Sequence, residues 1–287
     1  MGMQAPCDND VSPIRIEVNG IHMGVLQHGD PTGRPALVFI HGFTGCAANW
    51  EPFLTDFAQQ GMRVVALDML GHGNSDAPED PRRYAMEHCQ ADIIAALQVL
   101  GIAAGEAILI GYSMGGRIAL YTALAGYFRA LVLESVSPGL STAEEREQRC
   151  RSDVALANCI DEFGLEAFVD YWERRPLFDT QSRLPIKKRA GLRQQRLKNS
   201  EIGLANSLRG VGTGAQPPLH ERLSEITVPV LLITGEDDKK FCQIAVEMAA
   251  KMPQAEHHVI PGAGHTTHFE QPALFEVVVR NFFRSVA

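Results

Sequence analysis

The chain has no Cys-x-x-Cys pair. Cys7, Cys46, Cys89, Cys150, Cys159 and Cys242 are scattered, which removes the spacing of a zinc site, a redox dithiol or a disulfide framework. Free thiols in a reducing compartment are expected instead, and so is a cytoplasmic location. No stretch approaches the roughly 20 apolar residues of a membrane span. Met1 to Asp10 carries Asp8 and Asp10 without an apolar core, so neither a membrane partner nor a secretory leader is expected. An excess of cations is also missing. The 26 Lys and Arg face 34 Asp and Glu, for a net charge of −8, against a general nucleic-acid binder. The sequence offers no dinucleotide fingerprint and no metal-ligand cluster, so no cofactor is expected. It has no internal repeat or low-complexity tract, and no pattern that identifies an oligomer interface.

What is present is a hydrophobic content of 45% in 287 residues, enough for one large core. Ile14 to Gln27 alternates apolar and polar around Asn19-Gly20, which predicts an opening β-hairpin. Five short runs follow: Ala36 to Ile40, Val64 to Leu67, Ala107 to Ile110, Leu131 to Leu133 and Val230 to Ile233. Each is apolar at consecutive positions, as strands buried on both faces of a parallel sheet must be. Helical-period segments lie between them, among them Ala91 to Leu100 and Arg117 to Leu124. The expectation is a single α/β domain over 1–287 with a mostly parallel, doubly wound sheet. From roughly 141 to 214 helical patterns occur without a convincing strand, predicting a helical lid inserted between strands. It would cover the C-terminal sheet edge, where open α/β sheets place their ligands. Gly210 to Gly214, followed by Pro217-Pro218, reads as the return from lid to core.

Gly111-Tyr112-Ser113-Met114-Gly115 is a G-x-S-x-G pattern directly after the run Ala107 to Ile110 and before a helical segment opening near Gly116. That is the setting of a nucleophile elbow, in which glycines relieve crowding around a serine held in a strained turn. A serine nucleophile needs a base, and the base an orienting acid, in the chain order Ser, Asp or Glu, His. Gly235-Glu236-Asp237-Asp238 follows the run ending at Ile233, and Gly262-Ala263-Gly264-His265 follows His258 to Ile260. His265 is the candidate base, ahead of His268. Asp238 and Asp237 both suit the acid by spacing, with Glu134 a third choice. The oxyanion site needs only backbone N–H groups, expected at Met114 and at Phe43 in the His41-Gly42-Phe43 loop. His72, in Gly71-His72-Gly73, reads as a structural hydrogen-bonder.

These motifs, with His-Gly-Phe-Thr-Gly at 41–45, resemble the α/β-hydrolase superfamily over nearly the whole chain. Other features are similar to the 2-succinyl-6-hydroxy-2,4-cyclohexadiene-1-carboxylate (SHCHC) synthases of menaquinone biosynthesis. They are Tyr112 to Arg117, Ser137-Pro138-Gly139-Leu140, Ala143 to Arg146 with Arg149 to Asp153, Gly203 to Asn206, Gly212-Thr213-Gly214 with Gln216-Pro217, and Gly235 to Phe241. The last of these selects Asp238. The resemblance implies a lyase in which serine and histidine act as a base, pyruvate leaves and no acyl-enzyme forms. It also implies a small polycarboxylate substrate held by Arg117, Arg149 and Arg196, with Tyr112 and Trp172 lining the pocket. Charge agrees independently: 141–214 holds 13 Lys and Arg against 11 Asp and Glu, near +2, while the rest of the chain is near −10. Guanidinium forks match carboxylates bidentately, whereas Arg183, Lys187, Lys188 and Arg189 are expected to face water. A serine hydrolase using the same triad, or a non-catalytic receptor on this scaffold, are the alternatives.

Overall fold

The computed structural model describes residues 13–286; Met1 to Asp10, read above as lacking a leader, and Cys7 lie outside the described residues. One eight-stranded sheet runs in the order β1-β2-β4-β3-β5-β6-β7-β8. The strands are β1 (Ile14–Val18), β2 (Ile21–His28), β3 (Ala36–Ile40), β4 (Val64–Leu67), β5 (Ala107–Tyr112), β6 (Ala130–Glu134), β7 (Val230–Gly235) and β8 (Ala255–Ile260). β1 and β2 form the antiparallel hairpin at Asn19-Gly20, β2 also pairs antiparallel with β4, and the remaining pairs are parallel. The central strands β3 to β7 are buried at every residue but Tyr112, which is half-buried at the end of β5. Their apolar runs serve both faces, and helices must cover each.

Those helices are α1 (Glu51–Gln59), α2 (Met86–Val99), α3 (Met114–Ala123), α7 (Lys239–Ala249), the short α8 (Thr267–Glu270) and α9 (Pro272–Val286). One core layer joins Ile93, Leu97, Ile118 and Leu120 to the sheet, and the opposite layer joins Trp50, Phe57, Phe275 and Phe283. Between β6 and β7 lie α4 (Ala143–Glu173), a 3-10 stretch (Pro176–Arg183), α5 (Ile186–Arg196) and α6 (Glu201–Val211). α4 is interrupted at Gly164, whose φ of 78° is left-handed and costs a glycine little. α4 and α6 share a small apolar core of Ala157, Ile160, Phe168, Leu204 and Leu208. No helix among the described residues is long and apolar enough to cross a membrane.

Several sequence-based boundaries move. α3 begins at Met114 rather than near Gly116, because the chain turns helical directly after Ser113. α2 begins five residues before Ala91, and Gly210 is still inside α6, so the return to the sheet starts at Gly212. β8 is twice the length of the apolar run His258 to Ile260. It is an edge strand with alternating exposure, so its first half has no hydrophobic signature.

Candidate active site

Ser113 sits between β5 and α3 with φ 50° and ψ −108°, a conformation that L-residues adopt only under constraint. The constraint is visible in its neighbours. A Cβ on Gly111 would meet the Gly115 carbonyl at 2.6 Å, and one on Gly115 would meet the His41 carbonyl at 2.4 Å. Only glycine lets the turn close this tightly, and the serine is pushed above the sheet edge as a result.

His265 follows β8 and is 2% exposed. Its Nε2 lies 3.0 Å from Ser113 Oγ and its Nδ1 2.6 Å from Asp238 Oδ2. Nδ1–H donates to the carboxylate, which leaves Nε2 to accept from the serine, the tautomer a general base requires. Asp238 caps the N-terminus of α7. The alternatives are placed elsewhere. Asp237 Oδ2 pairs with Arg183 at 2.6 Å, and Glu134 is fully buried against His268 Nδ1 at 2.7 Å. Phe241 packs against the His265 ring at 4.6 Å between centroids, and Tyr112 at 5.6 Å.

Phe43 lies in the loop after β3, and Met114 is the first residue of α3, where helical N–H groups face outward. Beneath that loop are two buried histidines. His41 Nε2 accepts from Met69 N at 3.0 Å while Nδ1 donates to the Gly42 carbonyl at 2.8 Å. Burial pushes its pKa down to about 4. His72 Nδ1 donates to the Leu70 carbonyl at 3.1 Å, and burial followed by the His41 charge lowers its pKa to about 3. Both are neutral hydrogen-bonders that shape the loop.

The arginines divide into two groups. Arg196, 5% exposed, lines a cavity of about 40 Å³ together with Gly42, Phe43, Tyr112, Gln181, Thr266 and His268. It also borders a larger cavity of about 530 Å³ between α5 and the 3-10 stretch. Its Nη1 donates to Glu173 at 3.0 Å and its Nε is buried without a partner. Loss of solvent lowers its pKa, opposed by Glu173. Arg117 and Arg149 line neither cavity. The Arg117 guanidinium donates to Gln216 Oε1 (3.1 Å) and the Val211 carbonyl (3.0 Å). Burial, then the neighbouring Arg149 charge, pushes its pKa down to about 10. Arg149 is 44% exposed at its side chain and pairs with Asp153 at 2.8 Å. Neither of these two cavities holds all three arginines.

Trp172 stands edge-on to Phe43 at 5.2 Å and stacks on Phe168, its Nε1 buried and unpartnered, while Tyr171 points outward, 48% exposed. Tyr112 Oη bonds Thr266 Oγ1 at 2.8 Å, and Gln181 Nε2 reaches the same hydroxyl at 3.1 Å. Burial raises the Tyr112 pKa. The sequence reading missed Thr266, Gln181 and Glu173, single polar residues without motif or period, of which only Thr266 had a pointer, its place beside His265; Gln216 was quoted in the family pattern but given no role. It also erred on Lys188, which is half-buried and donates to the Phe269 carbonyl.

Known proteins place this arrangement. The model of the alpha/beta hydrolase fold family matches residues 35–272. A Bacillus subtilis (strain 168) protein provisionally named SHCHC synthase is 45% identical over 270 residues, covering 93% of this chain and 97% of its own. The SHCHC synthase of Serratia proteamaculans (strain 568) is 32% identical, covering 90% and 96%. The solved structure of MenH from S. aureus superposes with a TM-score of 0.86 at 34% identity, covering 92% of this chain and 98% of that one. The chain therefore belongs to the α/β-hydrolase fold family and, within it, to the SHCHC synthases.

Proposed function

We infer that this enzyme eliminates pyruvate from 2-succinyl-5-enolpyruvyl-6-hydroxy-3-cyclohexene-1-carboxylate, giving SHCHC in menaquinone biosynthesis, with Ser113, His265 and Asp238 as its base. The observation that supports the base is the bonded chain Ser113–His265–Asp238, and the one that supports carboxylate binding is Arg196, a buried guanidinium beside Tyr112 and the Phe43 loop. Its guanidinium lines the cavity, and a planar fork of N–H donors has a carboxylate as its natural complement.

In this reading His265 takes the Ser113 proton and the serine oxygen removes the ring proton α to the succinyl ketone. Asp238 stabilises the imidazolium that results. The electron pair from the broken C–H bond forms the C2=C3 double bond, the C3=C4 pair shifts to C4=C5, and the C–O bond from C5 to the enolpyruvyl group breaks, its pair leaving on the oxygen. The departing enolate takes a proton to become pyruvate. Negative charge passes through the ketone oxygen, which the Phe43 and Met114 N–H groups would receive. Arg196 would hold one carboxylate. Arg117 and Arg149, whose mutual repulsion is offset by Asp153, would hold another, with Trp172 as an apolar wall. We read 141–214 as a lid in one domain spanning 1–287, and propose a cytoplasmic location, where Cys46, Cys89, Cys150, Cys159 and Cys242 stay reduced.

The test is pyruvate release from that substrate, after subtraction of its spontaneous breakdown, with Ser113→Ala beside the wild type. Rapid release that vanishes in Ser113→Ala is expected. No acceleration, with turnover of aryl esters instead, would replace this reading by an ordinary serine hydrolase.

A further inference from the structure

Two residues outside the triad touch every segment that carries a triad member. Glu134 ends β6 and Ser135 follows it. The Glu134 carbonyl accepts from Ser113 N at 2.9 Å, tying the elbow to the neighbouring strand. Ser135 N donates to the Ile233 carbonyl at 2.9 Å, in the strand that leads to Asp238. Ser135 Oγ donates to the main-chain carbonyl of His265 itself at 2.8 Å.

The Glu134 carboxylate is fully buried and accepts three bonds from the residues just beyond. These are Thr267 Oγ1 at 2.7 Å, His268 N at 3.0 Å and His268 Nδ1 at 2.7 Å. A buried carboxylate persists only when its oxygens are satisfied in this way. His268 in turn stacks on Trp50, with centroids 4.2 Å apart. The molecule thus holds a second acid–histidine pair beside Asp238–His265, with the Tyr112 ring 4.9 Å from His268 and 5.6 Å from His265. Both oxygens of Glu134 are taken up by residues 267 and 268, so the carboxylate has no bond to the His265 ring. Its leverage is on the main chain. Ser135 is also left-handed, with φ 52°, next to a Ser113 of φ 50° on the adjacent strand. Two non-glycine residues in that region at neighbouring strand ends mark a place where bonding overrides local preference.

We propose that Glu134 and Ser135 are positioning residues: they fix the backbone of residues 265–268 against the elbow, so that the His265 ring spans Asp238 and Ser113. The inference rests on the triad reading given above. Its chemical consequence follows from tolerance, since a displacement of about 1 Å at a proton-transfer site costs on the order of 100-fold in rate.

Ser135→Gly separates position from stability. Glycine accepts a φ of 52° more readily than serine, so the variant keeps or gains stability while losing the bond to His265. Its kcat is expected to fall about tenfold or more with KM within about threefold of wild type. Glu134→Gln is expected to lose more, since it removes the charge and one acceptor. In both, the downfield proton resonance of His265 Nδ1–H, identified by its absence in Asp238→Asn, shifts or broadens. Should Glu134→Gln not fold, Thr267→Val removes one of the same bonds and takes its place. Wild-type kcat and an unmoved resonance in Ser135→Gly would overturn the proposal, as would losses that merely follow the thermal midpoint. His265→Ala keeps the two readings apart. If it still turns over, the triad reading fails. If it is inactive while Ser135→Gly and Glu134→Gln match wild type, only the positioning role fails.

Discussion

The C-terminal edge of the sheet and the helical segment above it hold their functional side chains by different means. At the sheet edge, the bonds fix the main chain. Ser113 N is bonded to the next strand, its φ of 50° is enforced by glycine contacts, and Asp238 caps a helix. In the helical segment, side chains hold one another. Arg196 is tethered by Glu173, whose other oxygen takes Arg193 at 3.1 Å, and Arg193 is held by Asp170 at 2.7 Å. Trp172 is placed by aromatic and apolar packing. On the proposed reading, proton transfer, which tolerates little displacement, falls on the stiffer support, and carboxylate recognition, which tolerates more, falls on contacts that can rearrange.

Substitutions in the two regions should separate accordingly. The largest effect is expected from Ser113→Ala, which on the proposed mechanism removes the group that takes the substrate proton. Enzyme-dependent pyruvate release should fall by about 10⁴-fold or more, roughly 5 kcal/mol of transition-state stabilisation. Binding of the substrate's carboxylates, measured by calorimetry with the dicarboxylate product, should change little. The complementary change is Arg196→Met in the helical segment. It should cost about 2–4 kcal/mol in kcat/KM, chiefly through KM, because a buried carboxylate then lacks its partner. A loss confined to kcat would break the division of labour.

Next in size is a pH effect that belongs to the sheet region. The folded-state pKa values of His41 and His72 are about 4 and about 3, depressed first by burial. Between pH 7 and pH 5 the unfolded chain therefore binds protons that the folded chain refuses. Stability should fall over that window by on the order of 2 kcal/mol for each histidine. Urea unfolding at both pH values measures the fall, which His72→Asn should roughly halve and Arg196→Met should leave unchanged. The smallest effect is expected at Arg183, which links the helical segment to the sheet through Asp237 but is 62% exposed at its side chain. Arg183→Gln should alter stability and KM by less than about 1 kcal/mol, as exposed ion pairs do. A larger change would mean that this bridge helps set how the two regions meet.

The sequence was read most easily where burial and backbone strain restrict residue choice. Strands buried on both faces show as apolar runs, and the elbow shows as glycines around a serine. Boundaries failed where those pressures fade, as in the exposed half of β8. The acid was open between Asp237 and Asp238 by spacing, because adjacent carboxylates differ only in where a loop points them. Resemblance selected Asp238, and the geometry has it bonded to His265 while Asp237 pairs with Arg183.

The sequence by itself determined the α/β architecture, the elbow and the place of the last loop, since these follow from local periodicity and from conformations that few residues accept. Only the tertiary structure decided which polar groups meet. It bonded Arg117 to Gln216 and Val211, paired Arg196 with Glu173, turned Trp172 inward, and set Glu134 against His268. Each of those outcomes joins elements far apart in the chain, and packing in three dimensions, which no local pattern encodes, selects the partner that removes a buried donor or charge from isolation.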